Sequence, residues 1–101
     1  MIMATIRMNV LSGKRLELSQ TIALLTASIR TEKGCQRCDF CQGVEDENEL
    51  WLLEKWDTRE NLKNHLNSGR FRVLRGAMTL LKEPYEMVFH AAIHLPGMHK
   101  I

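Results

Sequence analysis

No stretch of this chain is long and apolar enough to span a bilayer, and no strong excess of either charge is present. A net charge of +2 over 101 residues is too small to argue for a nucleic-acid or acidic-membrane partner. Arg70, Arg72 and Arg75 cluster, but no aromatic residues interleave with them as a single-strand binder requires, so the cluster reads as a solvated helix face. The start from Met1 to Ile6 lacks the basic region of a secretory signal, and Arg7 cuts its apolar run short. Three cysteines, an odd count without an export signal, predict free thiols in a reducing cytoplasm. No repeat, low-complexity stretch or linker divides the sequence. A single domain over 1–101 is expected, with its core at about 2–94 and an irregular tail over 95–101. So short a chain has a small core, which an oligomer would support.

What is present is periodicity. Ile2, Ala4, Ile6, Met8 and Val10 alternate with Thr5, Arg7 and Asn9, which predicts a strand over 2–11. Ser12 is placed to cap a helix over 14–33, whose stripe is Leu18, Ile22, Leu25 and Ile29, and Gly34 ends it. Strand character returns over 35–44, a polar turn follows over 45–49, and 50–56 is a second apolar strand. Asp57 is expected to cap a short helix, with Glu60 completing a capping box. Ser68 and Gly69 interrupt that helix, and a stripe of Phe71, Leu74, Met78 and Leu81 continues until Pro84. Tyr85, Met87, Phe89, Ala91 and Ile93 then share one face of a last strand over 85–94.

This order is the βαββαβ pattern of a ferredoxin-like α+β domain, with an antiparallel sheet and the helices on one side. Within the strand over 50–56, Trp51 and Leu53 point one way while Leu52 and Trp56 point the other. Helices cover only one of these faces. The uncovered apolar patch predicts a homodimer in which a second sheet lies against the first and encloses a pocket.

The segment from Glu54 to Leu66 reads as the end of a strand, a capped turn and a short helix with a histidine on its inner edge. Trp56 and His65 then lie at opposite ends of one strand-to-helix unit, a placement suited to lining a pocket. Gly13-Lys14, Glu32-Lys33-Gly34-Cys35, Glu54-x-Trp56, Leu62, His65, Ser68 and Phe71 together give the chain, over about 2–94, a pattern that resembles the antibiotic biosynthesis monooxygenase domains. The resemblance implies a dimeric α+β barrel, and in several members oxidation of aromatic polyketides or quinols by molecular oxygen without metal or flavin. Other proteins with this domain are not proven to be catalysts. Two positions depart from the pattern: Arg70 stands where a second histidine is frequent, and Cys38 where strand two commonly has an aromatic residue. A related branch degrades haem. Arg75 occupies the place of its histidine and Asn9 is out of register with its asparagine, so haem is disfavoured and no cofactor is expected.

Cofactor-free oxygenation requires a base to form the substrate anion, a donor to hold the oxyanion, and a dry aromatic-lined pocket. His65 fits the base or donor, because imidazole titrates near neutrality; its other reading is a histidine that fixes its helix by bonding to backbone. Trp56 is either a cavity wall and indole donor or plain core. Glu54 shares a strand face with Trp56 and either orients His65 or makes a structural salt bridge, with Arg7 or near Lys55, the favoured reading. Arg7 and Asn9, on the polar face of strand one, are candidate donors to the same cavity. The spacing of Cys35, Cys38 and Cys41 suggests a metal cluster. Strand alternation, however, predicts Cys35 and Cys41 on one face and Cys38 on the other, so no metal site is expected. His90 and His94 share a strand face, with His99 nearby, and read as surface or interface residues. The methionines and Phe40, Phe71 and Phe89 read as core, some of the methionines as the lining of an adaptable ligand pocket. The function expected is oxidation of a quinol-like or polycyclic phenolic molecule by O2. The alternative is a non-catalytic binding or sensing module on the same barrel, with haem binding a weaker third.

Overall fold

The computed structural model describes residues 1–92. His94, His99, Ile93 and the tail lie outside the described residues. Strands β1 (Ile2–Asn9), β2 (Cys35–Gln42), β3 (Glu49–Trp56) and β4 (Glu86–Ala91) form one antiparallel sheet in the order β2-β3-β1-β4. Helices α1 (Arg15–Ile29), α2 (Arg59–Leu66) and α3 (Gly69–Ala77) complete the ferredoxin-like α+β arrangement expected from the element order.

Pairing register decides which side chains meet beneath the helices. β1 lays Ile2, Ala4, Ile6 and Met8 opposite Trp56, Glu54, Leu52 and Leu50 of β3. All of these but Ile2 are fully buried, together with Leu18, Ile22 and Ile29 of α1 and Leu74 of α3. The core is therefore the layer between the sheet and the helical stripes. Two titratable groups are buried within it: Glu54 is 0% exposed and His65 is 1% exposed.

Several boundaries differ from the sequence expectation, each for a local reason. Ser12 opens a single 3-10 turn over Ser12–Lys14 and makes no side-chain cap. Helix α1 stops at Ile29, and a tight turn whose N–H groups reach back to Thr26, Ser28 and Ile29 carries the chain to Gly34. The cap of α2 is Thr58, whose hydroxyl accepts the Asn61 N–H, and Asp57 instead accepts from the Asn61 side-chain amide. The capping box of Asp57 and Glu60 does not form, because the helix begins one residue later than expected. Ser68 caps α3 by accepting from the Phe71 N–H. Leu81 lies beyond the helix, where it bridges Val10 in extended conformation.

A bulge between Cys35 and Arg37 overturns the expected split of the thiols. It places Cys35 opposite Trp56 and Cys38 opposite Glu54, so these two share the helix-covered face and Cys41, opposite Trp51, takes the other. The extra residue shifts the parity of everything before it. Among the described residues no group of three His, Cys, Asp or Glu side chains is placed to hold a metal ion, and no helix is long and apolar enough to cross a membrane.

Candidate active site

β3 supplies Glu54 and Trp56 by alternation, and both point under the helices. The α2 helix supplies His65 on the same side as Leu62, three residues earlier, and both are buried. The His65 ring stacks on Trp56, with centroids 4.6 Å apart and planes 27° apart, and meets the edge of Phe71 from α3 at 5.4 Å. Trp56 donates its indole N–H to Glu54 Oε1 at 2.9 Å. His65 Nε2 lies 3.2 Å from that same oxygen. The contact becomes an ion pair when the ring is protonated, and Nε2 is left without a hydrogen bond among the described residues. Glu54 Oε2 is likewise buried and unbonded. On the other side of the ring, Nδ1 lies 3.0 and 3.1 Å from the two carboxylate oxygens of Glu32.

Glu32 carried no expected role, and it completes the cluster. It stands in the turn after α1, 33 residues before His65, with its side chain only 11% exposed. Hydrophobic period gives no sign of it. Besides its place in the Glu32-Lys33-Gly34-Cys35 stretch of the resemblance, the sequence carries one physical signal: a carboxylate just past a helix C-terminus faces the negative end of the dipole, where acids are disfavoured unless something else holds them.

Two carboxylates around one imidazole set its charge. Burial favours the neutral ring, but the Glu54 carboxylate and then Glu32 outweigh it and raise the His65 pKa above the ordinary histidine value. The raised pKa favours the cationic ring, as the centre of a carboxylate–imidazolium–carboxylate unit. A cation stacked on an indole face gains further stabilisation.

The remaining candidates do not join this group. Arg7 and Asn9 project from the opposite face of the sheet: Arg7 pairs with Glu49 at 3.2 Å and Glu86 at 3.5 Å, and Asn9 donates to Glu83 at 3.2 Å. Glu54 thus makes no bridge to Arg7, since register places Arg7 opposite Trp51 and Glu54 opposite Ala4. Asn9 and Arg7 are not donors to the buried cluster. A hollow of about 400 Å³ on the sheet is lined by Met1, Met3, Leu53, Lys55, Arg37 and Asp39 among others; of the buried cluster Glu54 borders it, and neither Trp56 nor His65 does.

The family model described as antibiotic biosynthesis monooxygenase matches residues 1–76. No curated protein matches the chain significantly. Solved structures do. A candidate antibiotic biosynthesis monooxygenase from Deinococcus radiodurans superposes with a TM-score of 0.90 at 15% identity, covering 99% of this chain and 100% of the other. One from Nitrosomonas europaea gives 0.88 at 19% identity, covering 93% and 100%. One from Caulobacter crescentus CB15 gives 0.85 at 20%, covering 92% and 90%. At such identities these likenesses speak for the fold alone. The family match over most of the sequence carries more: this chain belongs to the antibiotic biosynthesis monooxygenase family.

Proposed function

We propose that the protein is a cytoplasmic, homodimeric, cofactor-independent monooxygenase that oxidises a quinol-like or polycyclic phenolic molecule with O2. The observation that carries this reading is the pair of buried titratable atoms, His65 Nε2 and Glu54 Oε2, that have no hydrogen-bond partner among the described residues and lie beside the stacked ring of Trp56 and the edge-on ring of Phe71. Native cores rarely leave such atoms unpaired, and sites of proton transfer are where they do. In an anthrone-like substrate, the pair takes the proton that creates the carbanion. The anion passes one electron to O2, and the radical and superoxide join through a new C–O bond. Loss of a second proton from that carbon breaks the O–O bond, leaving a carbonyl and releasing water. Conversion of the CH2 carbon to a carbonyl supplies all four electrons that reduce O2, so no external reductant is required. The imidazolium lowers the energy of superoxide beside it. The ring is sealed at 1% exposure, so the substrate gains access by displacing the Phe71 edge.

Aerobic anthrone or menadiol should consume oxygen above the autoxidation rate when the protein is added. His65→Gln and Glu54→Gln should each lower the rate by about 10²–10⁴-fold, the usual loss of general acid–base catalysis. Wild-type and variant rates that do not differ remove the reading.

The sealed ring and the hollow by Met3 and Leu53, which His65 and Trp56 do not line, favour a second reading, a non-catalytic binding module whose ligand lies on the open sheet face. Absence of excess oxygen consumption across a panel of anthrones and quinols decides for it.

The dimer is supported by the same face. Trp51 and Leu53 are half-buried, and Val88 is 45% exposed with no helix above it. Sedimentation should give a species of twice the chain mass, which Leu53→Lys shifts toward the monomer. A monomer at all concentrations sinks this part.

A further inference from the structure

We propose that Glu32 is a positioning residue for His65, accepting the Nδ1–H on its carboxylate so that Nε2 is the one ring nitrogen that exchanges a proton with Glu54 and substrate. This rests on the reading of His65 and Glu54 as the proton-transfer pair. It is carried by geometry. Both Glu32 oxygens stand within 3.1 Å of Nδ1, while Nε2 has no hydrogen-bond partner among the described residues. Stacking on Trp56 and the edge of Phe71 fix the plane of the ring but not which nitrogen points which way. The two ends differ in their carboxylates: Glu32 meets Nδ1 in hydrogen-bond geometry, whereas Glu54 Oε1 stands 3.2 Å from Nε2 without forming one.

The segment bearing Glu32 is built to hold still. The Glu32 N–H donates to Ile29 O at 3.0 Å, and its carbonyl accepts from the Cys35 N–H at 3.1 Å. Arg30 Nε reaches Cys38 O on β2 at 2.8 Å, and the Gly34 carbonyl accepts the Asp57 N–H at 3.0 Å. The turn is thus tied to α1, to β2 and to the start of the α2 segment. A base oriented by a third group bonded to its far nitrogen is the logic by which histidines are tuned in hydrolytic triads and metal sites. The titratable groups facing the ring are Glu32 from this turn and Glu54 from β3; Cys35 and Cys38 lie on the same sheet face from β2.

The test is nitrogen NMR of the full-length protein with 15N-labelled histidine, above the titration midpoint of His65, with the signal assigned by its loss in His65→Gln. Wild type should show a protonated Nδ1 and a lone pair on Nε2. Glu32→Gln should move the tautomer toward Nε2–H and lower the titration midpoint by about one to three pH units. It should lower kcat with anthrone about ten- to hundredfold with KM unchanged, as expected when the orienting partner of a functional histidine is lost. Glu32→Asp, which keeps the carboxylate, should restore the Nδ1–H form. An Nε2–H tautomer in wild type overturns the proposal, as does a tautomer unchanged in Glu32→Gln. If Glu32→Gln does not fold, the wild-type tautomer decides alone. A protein that consumes no oxygen with any substrate sinks the oxygenase reading, while the ring-nitrogen result still judges the role of Glu32.

Discussion

Replacing His65 with alanine costs the fold about 3–5 kcal/mol, the penalty typical of removing one partner from a buried ionic group. Two carboxylates, one wholly buried and one 11% exposed, lose the cation between them. Trp56 and Phe71 also lose the ring that they flank. Urea denaturation should show a lowered midpoint with little change in slope. Glu54→Gln lowers the like-charge repulsion and keeps an acceptor for the Trp56 indole N–H, so in the His65→Ala background it should recover part of the loss. A His65→Ala midpoint equal to that of wild type would mean the unit is energetically idle.

The same cluster fixes a pH dependence. The His65 pKa is raised on folding, so its stabilising contribution is fully present below about pH 6.5, the ordinary histidine value, and is lost as pH rises through the folded value. As pH rises above about 6.5, wild type should lose stability relative to His65→Gln. The lowered carboxyls Glu49 and Asp57 do not titrate in this window. Burial, and then the nearby Glu54 carboxylate, push the Cys38 thiol up to about 12, so its effect is felt only at higher pH. A difference between the two proteins that is flat with pH is the contrary result.

Gly34→Ala is the second large effect, at roughly 2–6 kcal/mol. Part is backbone strain, about 1–3 kcal/mol, because Gly34 has φ +84°, a region that side chains disfavour. Part is overpacking, about 1–3 kcal/mol, because an added Cβ would collide with Asp57 Oδ1 and with the Asn61 side chain. Those two residues are bonded to each other at 2.9 Å and start the helix that carries His65. The collision should therefore displace the ring as well as destabilise the fold. Thermal melting gives the first effect, and the shift of the His65 NMR signal gives the second. Gly69→Ala, at a position with open space around it, is the control that should change little. Equal melting temperatures for the two variants would refute the close approach at Gly34.

The amino-acid sequence determined the order of the elements, most of the stripe on each helix, and the parity of residues within the strands other than β2. That was enough to place Glu54 and Trp56 together, to set Arg7 apart from Ile6, and to put His65 beside Leu62 on the inner edge of α2. These features repeat every two or every three to four residues, so a few neighbours suffice to fix them. Tertiary structure decided everything that depends on how separate segments meet. Register put Arg7 on the far side of the sheet from Glu54, one bulge moved Cys35 to the face of Cys38, and packing sealed the His65 ring. It also brought Glu32 to Nδ1 across 33 residues. Strand parity is a local property, whereas pairing between strands and the landing of a turn on a distant helix are set by the burial of the whole core at once.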